Sequence, residues 1–153
     1  MMNAVAIPPF ERFYEEYRDE MYGYLRKLAG RDAADDAFQE TFLRALRGYP
    51  SLQHGRHLRA WAYRIATRVA IDEHRKRRPT AEIPELPADD SRPVYAELDH
   101  LTGDLPATER AAVVLRYGYD LDYADIATAL GSSEDAARQA ASSGVRRLRR
   151  RMT

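Results

Sequence analysis

The chain has 153 residues, 44% hydrophobic and 31% charged, enough for one medium core or two small ones. It holds no cysteine, which excludes a disulfide scaffold, cysteine-ligated zinc and a thiol nucleophile, and fits a reducing cytoplasm. Its 24 basic and 24 acidic side chains cancel in sum but not in place: residues 1–78 carry 15 Lys and Arg against 11 Asp and Glu, residues 79–98 carry 1 against 5, and six arginines follow the last acid, Asp135. Two basic surfaces are thus separated by an acidic connector, and a neutral total does not argue against a nucleic-acid partner.

Phe10, Phe13, Tyr14, Tyr17, Met21, Tyr24, Leu25 and Leu28 recur at three- and four-residue steps and predict a helix that stops near Gly30. Asp32 is the expected N-cap of a second helix, whose Ala34, Phe38, Phe42, Ala45 and Leu46 line one face until Gly48 and Pro50 end it. A third helix buries Leu58, Trp61, Ala62, Ile65 and Val69, keeps Arg59, Arg64, Arg68 and Arg75 largely outside that stripe, and ends at Arg78 and Pro79. Residues 79–95 hold four prolines among acids and few large apolar groups, so they read as a flexible linker. A short helix is expected over residues 96–101, then one with Pro106 in its first turn and Ala111, Val114 and Leu115 inward. A helix-turn-helix follows: Asp122 as cap, Gly131 at the left-handed turn position, Ser132 or Ser133 as the next cap, and a last helix with Ala137, Ala141, Val145 and Leu148 inward. The fold class is all-α, in two small helical domains (residues 1–78 and 96–153).

Residues 53–78 gather three of the four histidines (His54, His57, His74) and eight Lys or Arg, beside Trp61 and Tyr63. Cations neutralise phosphates, while loop aromatics and amides hold unstacked bases, so this composition suits a single-strand or melted-duplex binder. Trp61 lies on the apolar stripe and reads mainly as core, its ring edge left for DNA. The run Arg75, Lys76, Arg77 and Arg78 reads as a phosphate contact. His54 and His57 lack a third ligand at metal-binding spacing, so no metal or cofactor is expected. In the last helix Gln139, Ser142, Ser143, Arg146 and Arg150 point outward with Arg138 on the flank, side-chain types that read base edges and phosphates, and Ser133 adds a hydroxyl at its start. Ala137, Ala140 and Ala141 beside Gly144 permit very close helix packing. No nucleophile-base pair or phosphate-cradling glycine loop appears, so an enzyme is not expected. The start of the chain lacks a signal-peptide pattern and no apolar run approaches membrane-spanning length, which sets the expected location as cytoplasmic, without membrane insertion.

The segment Asp35-Asp36-Ala37-Phe38-Gln39-Glu40-Thr41-Phe42-Leu43-Arg44-Ala45 resembles the polymerase-binding helix in region 2 of extracytoplasmic-function sigma factors. Leu58-Arg59-Ala60-Trp61-Ala62-Tyr63-Arg64-Ile65-Ala66 with Ala70-Ile71-Asp72 is similar to that family's promoter-melting helix, and Leu105-Pro106, Glu109-Arg110, Val114-Leu115-Arg116-Tyr117 and Tyr123-Ala124-Asp125-Ile126-Ala127 resemble its region 4. The resemblance implies a subunit that joins core RNA polymerase, directs it to promoter DNA and helps open the duplex, with an anti-sigma factor as a further partner. It implies that Asp36, Gln39, Glu40 and Phe42 face or support the polymerase clamp. It also implies that the loop at 52–57, with Gln53, His54, Arg56 and His57, captures a flipped minus-10 base, that Trp61, Arg64 and Arg68 lie near the melted strand, and that the helix from Glu134 reads the minus-35 element. Against the family pattern, Arg68 replaces a common Asn, and two cations are missing, at Ala140 and Ser143. Losing two phosphate contacts should weaken upstream binding by about one to two powers of ten. Two other readings stand beside this one. A sigma-like mimic would hold an anti-sigma protein without starting transcription, and a plain helix-turn-helix repressor would leave the N-terminal signature unexplained.

Overall fold

A computed structural model describes residues 6–77 and 105–152, with side chains for 6–73 and 105–151. Every regular element among them is helical. Helix α1, Phe10–Ala29, starts after Pro9, whose carbonyl accepts from the amides of Arg12 and Phe13 at 3.0 and 3.2 Å. It stops at Gly30, whose φ of 90° turns the chain directly into α2, Arg31–Gly48. Gly30, not Asp32, is therefore the N-cap of α2. The corner is made by a backbone only glycine adopts readily, and Asp32 stands inside the first turn, where its charge meets the positive end of the helix dipole.

A 3-10 turn, Tyr49–Ser51, ends α2, and the Tyr49 hydroxyl donates to the Pro8 carbonyl at 2.6 Å, closing the start of α1 over it. Helix α3, Leu58–Arg77, begins after His57, which takes the left-handed φ of 59° and whose carbonyl accepts from the Trp61 amide at 2.9 Å. Leu58, Ala62 and Val69 are buried as expected, but so are Ala60, Tyr63, Ala66, Thr67 and Ala70. A helix covered so widely has neighbours on more than one side. For α3 these are α1 and α2 and, in addition, a helix from the second half of the chain.

That half comprises α4, Ala107–Val113, continuing into a π-type turn at Val114–Gly118, then α5, Tyr123–Leu130, and α6, Glu134–Met152. Asp122 caps α5, accepting from the Asp125 amide at 2.8 Å, and Gly131 ends it with φ 68° and ψ 37°. The choice of cap for α6 falls on Ser133, whose hydroxyl accepts from the Ala136 amide at 3.1 Å, while the Ser132 amide returns to the Ala127 carbonyl at 2.9 Å. Ala137, Ala141 and Gly144 bring α6 against α4. A Cβ on Gly144 would stand 2.5 Å from Val113 Cγ2 and 3.3 Å from the Glu109 carbonyl oxygen, so the close approach offsets what a mid-helix glycine costs.

The two halves share one core. Helix α5 lies along α3, the Tyr119 ring packs with Tyr24 and Tyr63, and Arg110 of α4 donates to the carbonyl of Leu28 in α1. The expected linker at 79–95, the short helix at 96–101 and Arg78 lie outside the described residues.

Candidate nucleic-acid interface

The loop before α3 exposes Gln53, His54, Arg56 and His57. The Arg56 amide donates to His54 Nδ1 at 3.2 Å, which holds the ring against its own turn. Trp61 is half-buried, its ring 5.6 Å from Phe13 and 6.1 Å from Tyr49, so it is largely core with part of the indole still uncovered. Arg64 and Arg68 are exposed one helical turn apart on α3. With Arg44, Trp61 and Ile65 they line one wall of a cleft whose other wall is Ala129, Leu130 and Gly131. The basic run continues this helix: α3 extends through Arg75, Lys76 and Arg77.

Arg44 differs from its arginine neighbours. Its Nε lies 2.8 Å from Glu40 and its Nη1 3.4 Å from Asp72, tying α2 to α3. The hydrogen bond to Glu40 raises its pKa, burial opposes, and the Asp72 bond adds to the rise. Its two ion pairs hold the adjoining helices together along that wall of the cleft.

On the outer face of α2, Asp36 and Gln39 are exposed, whereas Glu40 is half-buried against Arg44. Phe42 is buried, with ring centroids 4.9 Å from Tyr14, 5.0 Å from Phe38 and 6.0 Å from Phe13. It therefore supports the helix from beneath. Leu46, expected on the inward face, is 50% exposed, and Leu43, for which spacing suggested no role, is 46% exposed. Ala45 takes the inward position in that turn, and a helical step of about 100° carries Leu46 out of the contact. Asp36, Gln39, Leu43 and Leu46, spaced by three, four and three, form one exposed stripe, a signal already present in the spacing.

On α6, Arg138, Gln139, Ser142 and Arg146 are exposed beyond the Ser133 cap, and half-buried Ser143 accepts from Arg146 at 3.1 Å. Arg138 pairs with Asp135 at 3.3 Å and lies 4.9 Å over the Tyr123 ring, and Arg116 lies 4.7 Å over the same ring. Tyr123 thus gathers a second cation, Arg116, next to the exposed face of α6. No pattern within α6 alone would have found it.

Among the described residues no group of three or more His, Asp or Glu is placed to hold a metal, and no helix is long and apolar enough to cross a membrane.

Two family models match the chain: Sigma-70 region 2 over residues 13–80 and Sigma-70, region 4 over residues 95–148. The ECF RNA polymerase sigma factor SigL of Mycobacterium tuberculosis is 32% identical over 152 residues, covering 89% of this chain and 84% of that protein. SigE of Mycolicibacterium smegmatis, also described as an ECF RNA polymerase sigma factor, is 32% identical over 162 residues, 96% of this chain. The chain spans 63% of that relative's length. In structure, the sigma factor RpoE from Bartonella quintana, solved in complex with the anti-sigma factor NepR, matches with a TM-score of 0.76 at 21% identity, over 92% of this chain and 94% of that one.

Proposed function

The chain belongs to the sigma-70 family, among the RNA polymerase sigma factors of ECF type, and from that premise we propose that it joins core RNA polymerase, directs it to a promoter and helps open the duplex there. Its work is binding rather than catalysis, and its place is the cytoplasm with the polymerase. The α2 stripe of Asp36, Gln39, Leu43 and Leu46 meets the polymerase, two leucines giving apolar area between polar contacts. The loop at 52–57 takes an unstacked base, Arg64, Arg68 and the run Arg75, Lys76, Arg77 and Arg78 hold the strand, and Arg138, Gln139, Ser142 and Arg146 of α6 read the upstream element. The observation that carries this reading is the pairing, in one chain, of an exposed cationic helix beside a polar loop with a capped helix-turn-helix whose last helix presents Arg, Gln and Ser outward.

An anti-sigma partner belongs to the same proposal. It is supported by two solved structures of similar fold, RpoE with NepR and CnrH with the cytosolic domain of CnrY. The test is association with core polymerase followed by probing for unpaired thymines on promoter fragments. Replacing Arg75, Lys76, Arg77 and Arg78 by Ala should abolish opening while polymerase binding persists. A chain that never associates with the polymerase would overturn the proposal.

A further inference from the structure

The outward face of α6 begins one turn before Arg138. Positions 135, 138, 139, 142 and 146 follow one another at helical spacing, so Asp135 heads the same exposed stripe as Arg138, Gln139, Ser142 and Arg146. An acid in the first turn of a helix ordinarily serves the backbone, by capping or by its attraction to the dipole. Here the capping is done by Ser133, whose hydroxyl accepts from the Ala136 amide at 3.1 Å. The Asp135 side chain is 89% uncovered, and its Oδ1 accepts from Arg138 Nη1 at 3.3 Å.

Arg138 is itself seated. Its guanidinium lies 4.9 Å over the Tyr123 ring, which also carries Arg116 at 4.7 Å, and Arg116 donates from Nη1 to the Leu121 carbonyl at 3.1 Å. An exposed ion pair alone holds its members loosely. The ring gives the guanidinium a face to rest on and so limits where the pair can swing. The pair therefore stands at the start of the stripe, where a recognition helix meets base edges.

A carboxylate there is repelled by DNA phosphates unless a base donor meets it. In the major groove guanine and thymine present acceptors, and adenine sets its N6 donor beside the N7 acceptor, whereas cytosine presents the N4 amino group as a donor that a carboxylate accepts from. Arg138 offsets the negative charge toward the phosphates and keeps further N–H donors for one of them. With Ala140 and Ser143 where two cations were expected, more of the discrimination by α6 falls on base edges.

We propose that Asp135 is a specificity-determining residue of α6, accepting from the N4 amino group of a cytosine in the upstream element, with Arg138 and the Tyr123 ring as its positioning groups. The inference rests on the reading of α6 as the upstream reader given above and adds one named base to it.

The test is selection by the full chain from a pool of randomised duplex DNA, followed by sequencing of what is retained. One position of the selected element should be cytosine. Asp135→Ala should erase that preference, a loss of about tenfold in the ratio of cytosine to the other bases, while binding to unrelated duplexes tightens as the repulsion disappears. Asp135→Asn should shift the same position to adenine, because an amide supplies an acceptor for N6 and a donor for N7. Tyr123→Phe keeps the ring and should keep the cytosine, whereas Tyr123→Leu should weaken the preference at unchanged helical dichroism. Equal preferences in those two variants would remove the ring from the positioning. A selected element without cytosine, or the same base profile from Asp135→Ala as from the parent, would overturn the proposal and leave α6 a DNA reader. A chain that retains no duplex would overturn that reading and the proposal with it.

Discussion

Gly144→Ala should destabilise the C-terminal helices even though alanine is the better helix former. The added methyl would lie 2.5 Å from Val113 Cγ2, against a comfortable carbon-carbon separation of about 3.5–4.0 Å. Val113 is 6% exposed and has no room to swing outward, and the next contact, the Glu109 carbonyl at 3.3 Å, is backbone. Overpacking typically costs about 1–3 kcal/mol, and a rigid neighbour argues for the upper end, while alanine returns about 1 kcal/mol of helix propensity. The net loss should be about 2 kcal/mol, a drop of roughly 1 M in the urea midpoint at unchanged slope. Far-UV circular dichroism during urea titration measures it. Val113→Ala removes the obstructing methyls, so the same Gly144→Ala change made in that background should be nearly neutral. A Gly144→Ala variant that is more stable than the parent, or equally damaging in both backgrounds, would refute the packing argument.

Two further outcomes follow from the charges and the buried phenols. Burial, and then the hydrogen bond to Glu20, raises the Tyr63 pKa far above 10.0, and burial raises that of Tyr24 despite an opposing hydrogen bond with Thr67. Since the folded values exceed the unfolded one, the stability these groups give is complete below pH 10.0 and falls as pH climbs beyond it. Their phenolate absorbance should accordingly appear together with loss of helical dichroism, and ionisation in a still-folded chain would contradict their burial. On α6, Arg138→Ala and Arg146→Ala should each reduce the slope of log affinity against log salt for upstream duplex DNA by about one, and an unchanged slope would remove that residue from the phosphate contacts.

Periodicity made the helices and most of their inward faces readable, because three-to-four spacing reports burial on one side of a helix. It assigns one stripe per helix and therefore missed Tyr63 and Thr67, which are buried on a helix packed from two sides. Leu46 was placed inward for a related reason, as it adjoins the stripe without belonging to it. Caps were legible where a side chain makes them, at Asp122 and Ser133, and not where glycine geometry alone turns the chain, at Gly30.

Of the site, the residue types on α3 and α6 and the family signatures in them stood in the sequence, while the docking of the two halves did not. Gly23 and Tyr119 are 96 positions apart, and nothing local in either segment announces that one fills the space the other leaves. Arg110 likewise stood within the region 4 signature, and only the fold reveals that its guanidinium reaches the carbonyl of Leu28.

Promoter-directed initiation is tested by transcription with core polymerase on a library of genomic fragments, with and without the chain. Start sites should appear only when the chain is added and share a common pair of upstream elements, and they should be lost when Arg75, Lys76, Arg77 and Arg78 become Ala. Transcripts that start at the same places without the chain, or none at all when it is bound to the polymerase, would contradict it.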